Sequence, residues 1–348
     1  MAEVRSGRYK VAVQKGGRDG FELEREALDP IGAEIVEIPA RSEEEFVEAA
    51  RDAHALIARG RRITREIIRG LERCVVIGCG SIGTDHVDVD AATEAGIVVT
   101  NVPDVFIEEV ADHAMALFLA AYRRLTEMDR LIREGRFREG HPSFRGTPRL
   151  WGQTFGLISF GNVAHAMARR LRPFGLQVIS HDPYVSELER TAEGVEPVGF
   201  TELLERSDFV SNHLPLNATT RRRLTTEHFR AMKRTAIFIN TGRGGTVDEE
   251  ALIQALETGE IAGAALDVFE REPLDPESPL LRMENVVCTP HVASASSRMM
   301  PETRRRLGQE LASALQGYWP RSAVNPAVLP RTPLRRWQPY PMTRGPNR

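Results

Sequence analysis

The chain is poor in cysteine. Cys74, Cys79 and Cys288 form an odd, scattered set, which argues against a disulfide framework and suits a reducing cytoplasm. No Cys/His cluster has zinc-ligand spacing, so no metal is expected. Long apolar runs are missing too. The richest, AMALFLAAY at 114–122, is too short to span a bilayer and reads as a buried helix. The opening MAEVRSGRYK lacks the apolar core of a signal peptide. Basic charge is not in excess: the formal net charge is -3, and the arginines are interspersed with acids, which leaves no electrostatic footprint for nucleic acid. No repeat of solenoid length is present. What is there is ordinary for a water-soluble enzyme: 41% hydrophobic and 27% charged residues over 348 positions, enough for two domains.

Short apolar runs alternate with helical patterns from the start. VAVQ (11–14), AEIVEI (33–38), HALIA (54–58) and CVVIG (74–78) read as strands. SEEEFVEAA (42–50) reads as a helix opened by an N-cap serine with glutamate three residues on. Such alternation predicts an α/β fold of parallel sheets covered by helices. Apolar residues then recur at helical spacing from Ile107 to Ile132, which predicts one long helix, buried along its middle. A polar, Gly/Pro-rich arm follows, up to Leu150. A second strand–helix series runs from TFGLISF (154–160) through QVISHD, DFVSNH, AIFIN and GAALDV to VVCTP (286–290). A last helix covers roughly 294–318, and the Pro/Arg-rich tail after 330 is expected to be disordered.

The segment GLISFGNVAHAMARRL follows a strand and opens a helix. It has the register of the dinucleotide fingerprint G-x-G-x-x-G/A, as Ser159, Gly161 and Ala164. Gly161 is the position that lets backbone approach a pyrophosphate, whose charge then meets the helix N-terminus. Ser159 departs from the motif and must make the tight turn with a Cβ. Taken alone, the segment is equally an ordinary strand–turn–helix. Asp182 shifts the balance. It ends the next strand about 20 residues on, where an acid grips the adenosine ribose hydroxyls and repels a 2′-phosphate. Its neighbours His181 and Pro183 offer no arginine to a phosphate, so NAD is expected rather than NADP.

Hydride transfer to a 2-keto acid needs a cation for the carboxylate, a proton donor for the carbonyl oxygen, and an acid that keeps the donor protonated. Arg243, His291 and Glu272 stand after three separate strand patterns, AIFIN, VVCTP and GAALDV. Alone, each has a bland explanation: a solvated loop arginine, a satisfied loop histidine, a turn acid before Pro273. Together they lie where an open parallel sheet collects its ligand groups, outside the carboxyl ends of strands.

The stretches MKRTAIFINTGRGGTVDEEAL, AGAALDVFEREP, VVCTPHVASAS, IGCGSIGTDHVDVDAATEAGIVVTNVP and EEVADHAMAL resemble the D-isomer-specific 2-hydroxyacid dehydrogenases, in order and spacing, over about 56–325. The first part is most similar to the D-3-phosphoglycerate dehydrogenase branch and the rest to the corepressor branch of C-terminal-binding proteins. The resemblance implies two doubly wound parallel-sheet domains, a Rossmann NAD domain (104–291) inserted in a flavodoxin-like substrate domain (1–103 and 292–330), with a tail at 331–348. It implies Arg243 as the substrate-orienting arginine, Glu272 as partner acid and His291 as proton donor or acceptor. It implies cofactor contacts at Gly161, Asn162, Val163, Asp182, His213, Thr241, Gly242, Asp267 and Ala293, with Asp267 on the nicotinamide carboxamide. Ser81, Ile82 and Gly83 would offer backbone amides to the substrate carboxylate. Gly242, Ala293 with Ser294, and Ile82 depart from residues common among relatives.

Arg59-Gly60-Arg61-Arg62 follows the strand HALIA. It is either a solvated loop or a site for a second anion on the substrate, a phosphate, phosphonate or carboxylate, with Arg59 as candidate. The expected protein is therefore a cytoplasmic, NAD-dependent 2-hydroxyacid dehydrogenase. The long helix and arm predict a symmetric homodimer. No nucleic-acid or membrane partner is expected. The alternative is a dinucleotide-sensing, corepressor-like binding protein with little turnover.

Overall fold

The computed structural model describes residues 9–16 and 20–335. These form two compact units, one containing the described residues up to Val105 and from Ser296 onward, the other Phe106–Ala295.

The first unit holds a five-stranded parallel sheet: β1 (Tyr9–Gln14), β2 (Ala33–Ile38), β3 (Ala55–Ile57), β4 (Val76–Gly78) and β5 (Val98–Thr100). The order is β2-β1-β3-β4-β5, the flavodoxin-like winding, which reverses between β1 and β3. These strands read as unbroken apolar runs because both faces are covered. Val11, Val13, Val76 and Val98 pack on one side with Phe21, Leu28, Leu307, Leu311 and Leu315. Ala12, Leu56, Ile77 and Val99 pack on the other with Phe46, Ile63, Ile67 and Ile68. The helix Glu43–Ala50 is capped by Ser42, whose hydroxyl accepts from Glu45 N. The helices Glu22–Leu28 and Met299–Leu315 lie against each other. A Cβ at Gly308 would stand 2.5 Å from the Glu24 carbonyl, so only glycine permits this approach. The buried Glu24 carboxylate accepts from Arg304 Nε at 2.9 Å beside that contact.

The second unit holds seven parallel strands: β6 (Thr154–Ile158), β7 (Gln177–His181), β8 (Glu196–Pro197), β9 (Phe209–Asn212), β10 (Ile237–Asn240), β11 (Gly263–Leu266) and β12 (Val286–Cys288). The order β12-β11-β10-β9-β6-β7-β8 is the Rossmann winding with one further strand, and it reverses between β6 and β9.

Three expectations change. The helix predicted over 107–132 is two helices, Ile107–Tyr122 and Leu125–Arg133, parted at Arg124 in the left-handed region with φ 51. Arg124 Nη1 donates to Ser143 O at 2.8 Å and so ties the break to the arm. Apolar spacing continues across the break, but beyond it Leu125 and Ile132 are each 53% exposed. The last helix is shorter than expected, Met299–Leu315. Finally, 331–335 are ordered rather than part of a disordered tail. Leu334 is buried, and Arg335 exchanges backbone hydrogen bonds with Trp319 and Gly317, both at 2.8 Å. The rest of that tail, 336–348, lies outside the described residues.

Candidate active site

The fingerprint turn joins β6 to the helix Asn162–Leu171. Gly161 is the N-cap, no side chain caps the helix, and a Cβ at Gly161 would meet nothing within 4 Å. Asn162 and Val163 therefore open an uncapped first turn onto free space, and Ala164 is buried behind it. Asp182 closes the turn from β7. Its Oδ2 accepts from Phe160 N at 2.7 Å and Ser159 Oγ at 3.1 Å, and its Oδ1 accepts from Tyr184 N at 2.8 Å. Burial works to raise the Asp182 carboxyl, but these donors outweigh it and hold the group below the ordinary carboxylate range.

Arg243 follows β10. Its Nη1 donates to Gly242 O at 2.9 Å, and its own carbonyl accepts from Thr246 Oγ1 at 2.7 Å. Behind it lies a buried polar lattice absent from the sequence reading. Asn212 and Asn240 pair in register across β9 and β10, and Asn212 Nδ2 donates to Asn240 Oδ1 and to Thr246 Oγ1. Gly242 N donates to Asn240 Oδ1 at 3.1 Å, and a Cβ at Gly242 would press on Asn212 O at 3.0 Å. The glycine thus fits the loop tightly against the chain leaving β9. There His213 follows, its Nε2 3.0 Å from Ser211 Oγ, and burial pushes its imidazole down to about 4, so it is neutral near pH 7.

His291 and Glu272 meet: Nδ1 lies 2.7 Å from Oε2, while Glu272 Oε1 accepts from Phe269 N at 3.1 Å. The Glu272 hydrogen bond raises the His291 pKa above the ordinary imidazole value, against the effect of burial and of the Arg243 charge. Burial works to raise Glu272, but the His291 hydrogen bond and the Phe269 amide leave it lowered. The charge of Arg243 acts on both groups, so the three belong to one electrostatic cluster.

His291 has φ 52, a left-handed backbone that a residue with a Cβ adopts only when its surroundings impose it. Asp267 imposes it. Its carbonyl accepts from His291 N at 2.8 Å. Its fully buried carboxylate accepts from Val292 N and Ala293 N, both at 2.9 Å, and from Thr289 Oγ1 at 2.6 Å. Since Thr289 spends its proton on Asp267, it accepts from His113 Nε2 at 2.9 Å, on the helix Ile107–Tyr122. His113 was unreadable as a site residue because it stands in an otherwise apolar helical pattern.

The first unit sorts its basic run. Arg61 is structural: Nε donates to Gln14 Oε1 at 2.8 Å, Nη2 to Ala40 O at 3.2 Å, and the guanidinium lies over Phe46. Arg62 is exposed. Arg59 lies over Phe21 at 4.4 Å, and its Nε and Nη2 are buried with no hydrogen-bond partner among the described residues. It stands just past β3, at the strand-order reversal, beside the loop leaving β4. In that loop the Ile82 carbonyl accepts from Asn101 Nδ2 at 2.7 Å and the Ser81 carbonyl from Val102 N at 3.1 Å. The Ser81 hydroxyl donates to Gly83 O at 2.7 Å, so the carbonyls of all three residues point to internal partners.

A nicotinamide dinucleotide fits the second unit. Gly161 leaves the room a pyrophosphate needs, Asp182 is ionised at the next strand end, and Thr241 Oγ1 is buried with no partner among the described residues. No group of His, Cys, Asp and Glu among the described residues forms a metal site, and no helix there is long and apolar enough to cross a membrane.

Comparison with known proteins agrees. Residues 115–293 match the family model for the NAD-binding domain of D-isomer-specific 2-hydroxyacid dehydrogenases. The chain is 41% identical to a glyoxylate reductase from Korarchaeum cryptofilum, over 83% of this chain and 87% of that one. It is 36% identical to D-3-phosphoglycerate dehydrogenase from Methanocaldococcus jannaschii, over 90% of this chain but only 59% of that longer protein. Among solved structures it is similar to the NADPH-dependent glyoxylate/hydroxypyruvate reductase from Sinorhizobium meliloti, solved with NADP and malonate, at a TM-score of 0.79 and 32% identity, covering 95% and 99% of the two chains.

Proposed function

The chain belongs to the D-isomer-specific 2-hydroxyacid dehydrogenase family, and from that premise we propose an NAD-selective enzyme for a 2-keto acid that carries a second anionic group. The chain is an oxidoreductase for small 2-hydroxy and 2-keto acids, working with a nicotinamide dinucleotide. The observation that carries the finer reading is Arg59, a guanidinium whose buried Nε and Nη2 have no acceptor among the described residues. Such a group is costly in an apolar setting unless an anion completes it, and a phosphate or carboxylate matches its fork. A glyoxylate-sized substrate has nothing to offer it.

When bound, the dinucleotide supplies or accepts the hydride at C2. The chain's own residues do the rest. In the second unit the fork of Arg243 holds the carboxylate, and in the first unit the turn of Ser81, Ile82 and Gly83 offers its backbone amides to an anion. His291, kept protonated by Glu272, gives its proton to the carbonyl oxygen in reduction and takes it back in oxidation. Asp267 fixes the turn that aims the imidazole. Gly161, Asn162, Val163, Asp182, His213, Thr241, Gly242 and Ala293 line the surface offered to the cofactor, and Asp267, fully buried, supports Ala293 from behind rather than reaching the nicotinamide. The fixed charge of Asp182 favours NAD, unlike the NADPH-dependent neighbour.

We also place the enzyme in the cytoplasm, where its three free thiols stay reduced; burial pushes Cys74 and Cys79 up to about 12. A homodimer through the second unit would cover Leu125, Ile132, Phe137 and Trp151, all large and more than half exposed. The test of function is steady-state reduction of a panel of 2-keto acids with NADH. The 2-keto acid of 3-phosphoglycerate should exceed glyoxylate in kcat/KM. The reverse order removes the second-anion reading. Binding of NADH with no turnover of any keto acid returns the chain to a dinucleotide-sensing role.

A further inference from the structure

Ser159 occupies the first position of the fingerprint turn, where the motif carries glycine. Its backbone has φ 72, in the left-handed region where a Cβ is penalised. The backbone alone gives no reason for a serine there, since glycine would make the same turn without strain. The side chain gives one. Ser159 N donates to His181 O at 2.9 Å, which sets the turn against β7, and the hydroxyl then reaches Asp182 Oδ2 at 3.1 Å. The same oxygen takes Phe160 N at 2.7 Å. Both lone pairs of Oδ2 are thus filled from inside the turn, while Oδ1 takes Tyr184 N at 2.8 Å and the Val185 amide adds its pull on the carboxylate. The amides anchor each oxygen, but the terminal torsion of a carboxylate is soft, and the hydroxyl as second donor on Oδ2 narrows it further.

We propose that Ser159 is a positioning residue for Asp182: its hydroxyl locks the carboxylate so that Oδ1 faces the adenosine ribose, and thereby sharpens selection of NAD over its 2′-phosphorylated form. The proposal rests on the reading that Asp182 receives the ribose. A locked carboxylate cannot turn its charge away from a 2′-phosphate, whereas a twisting one relieves part of the repulsion and presents a less defined acceptor to the hydroxyls.

Strain and hydroxyl are separable by substitution at this one position. Ser159→Gly removes the hydroxyl and the backbone penalty. Ser159→Ala removes the hydroxyl only. Ser159→Thr keeps the hydroxyl and adds a branched Cβ at positive φ. The full chain and each variant are titrated with NADH and with NADPH by fluorescence, and Tm is measured. Gly and Ala should each narrow the NADH preference by roughly three- to tenfold, the worth of one hydrogen bond. Gly should do so with Tm unchanged or raised. Thr should lower Tm and keep the preference. A loss of selectivity in the variant that gains stability is not a folding defect. If Gly and Ala retain the parental preference, or Thr loses it with them, the hydroxyl has no positioning role and the proposal is overturned while the NAD reading stands. If the parent itself binds NADPH as well as NADH, the Asp182 reading falls, and the proposal with it.

Discussion

Replacing Arg59 by alanine separates two substrates that differ only at one end. The guanidinium is held by stacking on Phe21, and its buried Nε and Nη2 meet no acceptor among the described residues. An incoming phosphate would convert those idle donors into a charge-assisted pair. One such hydrogen bond is worth about 1.5–3 kcal/mol. Losing it should lower kcat/KM for the 2-keto acid of 3-phosphoglycerate by about tenfold to a hundredfold, at 1.4 kcal/mol per factor of ten. The dephosphorylated keto acid has no group for the fork, so its kcat/KM should move by less than about threefold, within the spread of surface effects. The readout is NADH absorbance in initial-rate assays with both substrates and one enzyme preparation. Arg59→Lys should recover only part of the loss, because a point charge does not reproduce the fork. Arg61→Ala is the control. It gives up bonds to Gln14 and Ala40 and should show its effect in Tm, equally for both substrates. Equal losses on the two substrates in Arg59→Ala would refute the reasoning and leave the arginine a packing residue over Phe21.

The remaining expectations concern the second unit. Glu272 holds the His291 pKa above the ordinary value, so the proton-donating form exists below that raised pKa and is lost as pH rises through it. Glu272→Gln should therefore move the alkaline limb of the reductive kcat/KM profile to lower pH; a limb that stays in place means the acid lies elsewhere. Asp267→Asn leaves at least one of the Thr289, Val292 and Ala293 donors without its acceptor and should cost about 1–3 kcal/mol in urea unfolding, with kcat falling as the His291 turn loosens. Unchanged kcat in a folded variant would mean the left-handed turn holds itself. Light scattering should give twice the 38.8 kDa of one chain at micromolar concentration, and a single-chain mass removes the dimer.

Much of the fold was legible because parallel strands covered on both faces advertise themselves as short apolar runs, and ten of the twelve fall in the runs read as strands. The exceptions are β5, a three-residue strand left unread in IVVT, and β8, whose two residues, Glu196 and Pro197, carry no pattern. The break at Arg124 was invisible for a different reason: hydrophobic spacing records which side faces inward, not whether the backbone is continuous. The candidate site was legible as residue types at strand ends. The sequence could not tell Arg59 from Arg61, two residues apart, because the difference lies in Gln14 and Ala40, distant in the chain. Nor could it show that His291 sits at positive φ, or that Asn212, Asn240 and Thr246 form one lattice under Arg243. A polar residue closing an apolar strand run, as in DFVSN and AIFIN, is the signal that was available for the two asparagines.

The first unit is made from both parts of the chain, and this has a consequence for the newborn protein. One face of β1–β5 is covered by Leu307, Leu311 and Leu315, and Glu24 waits for Arg304. On the ribosome, roughly 200 residues separate the end of β5 from that helix, a delay of about ten to forty seconds at ordinary elongation rates. During it Val11, Val13, Val76 and Val98 have only the early part of their cover, Phe21 and Leu28 among it. The second unit is continuous and can close its core within the same interval. Biosynthesis therefore ends with the segment that was made first, and the interval before Met299 emerges is when this chain most needs a chaperone.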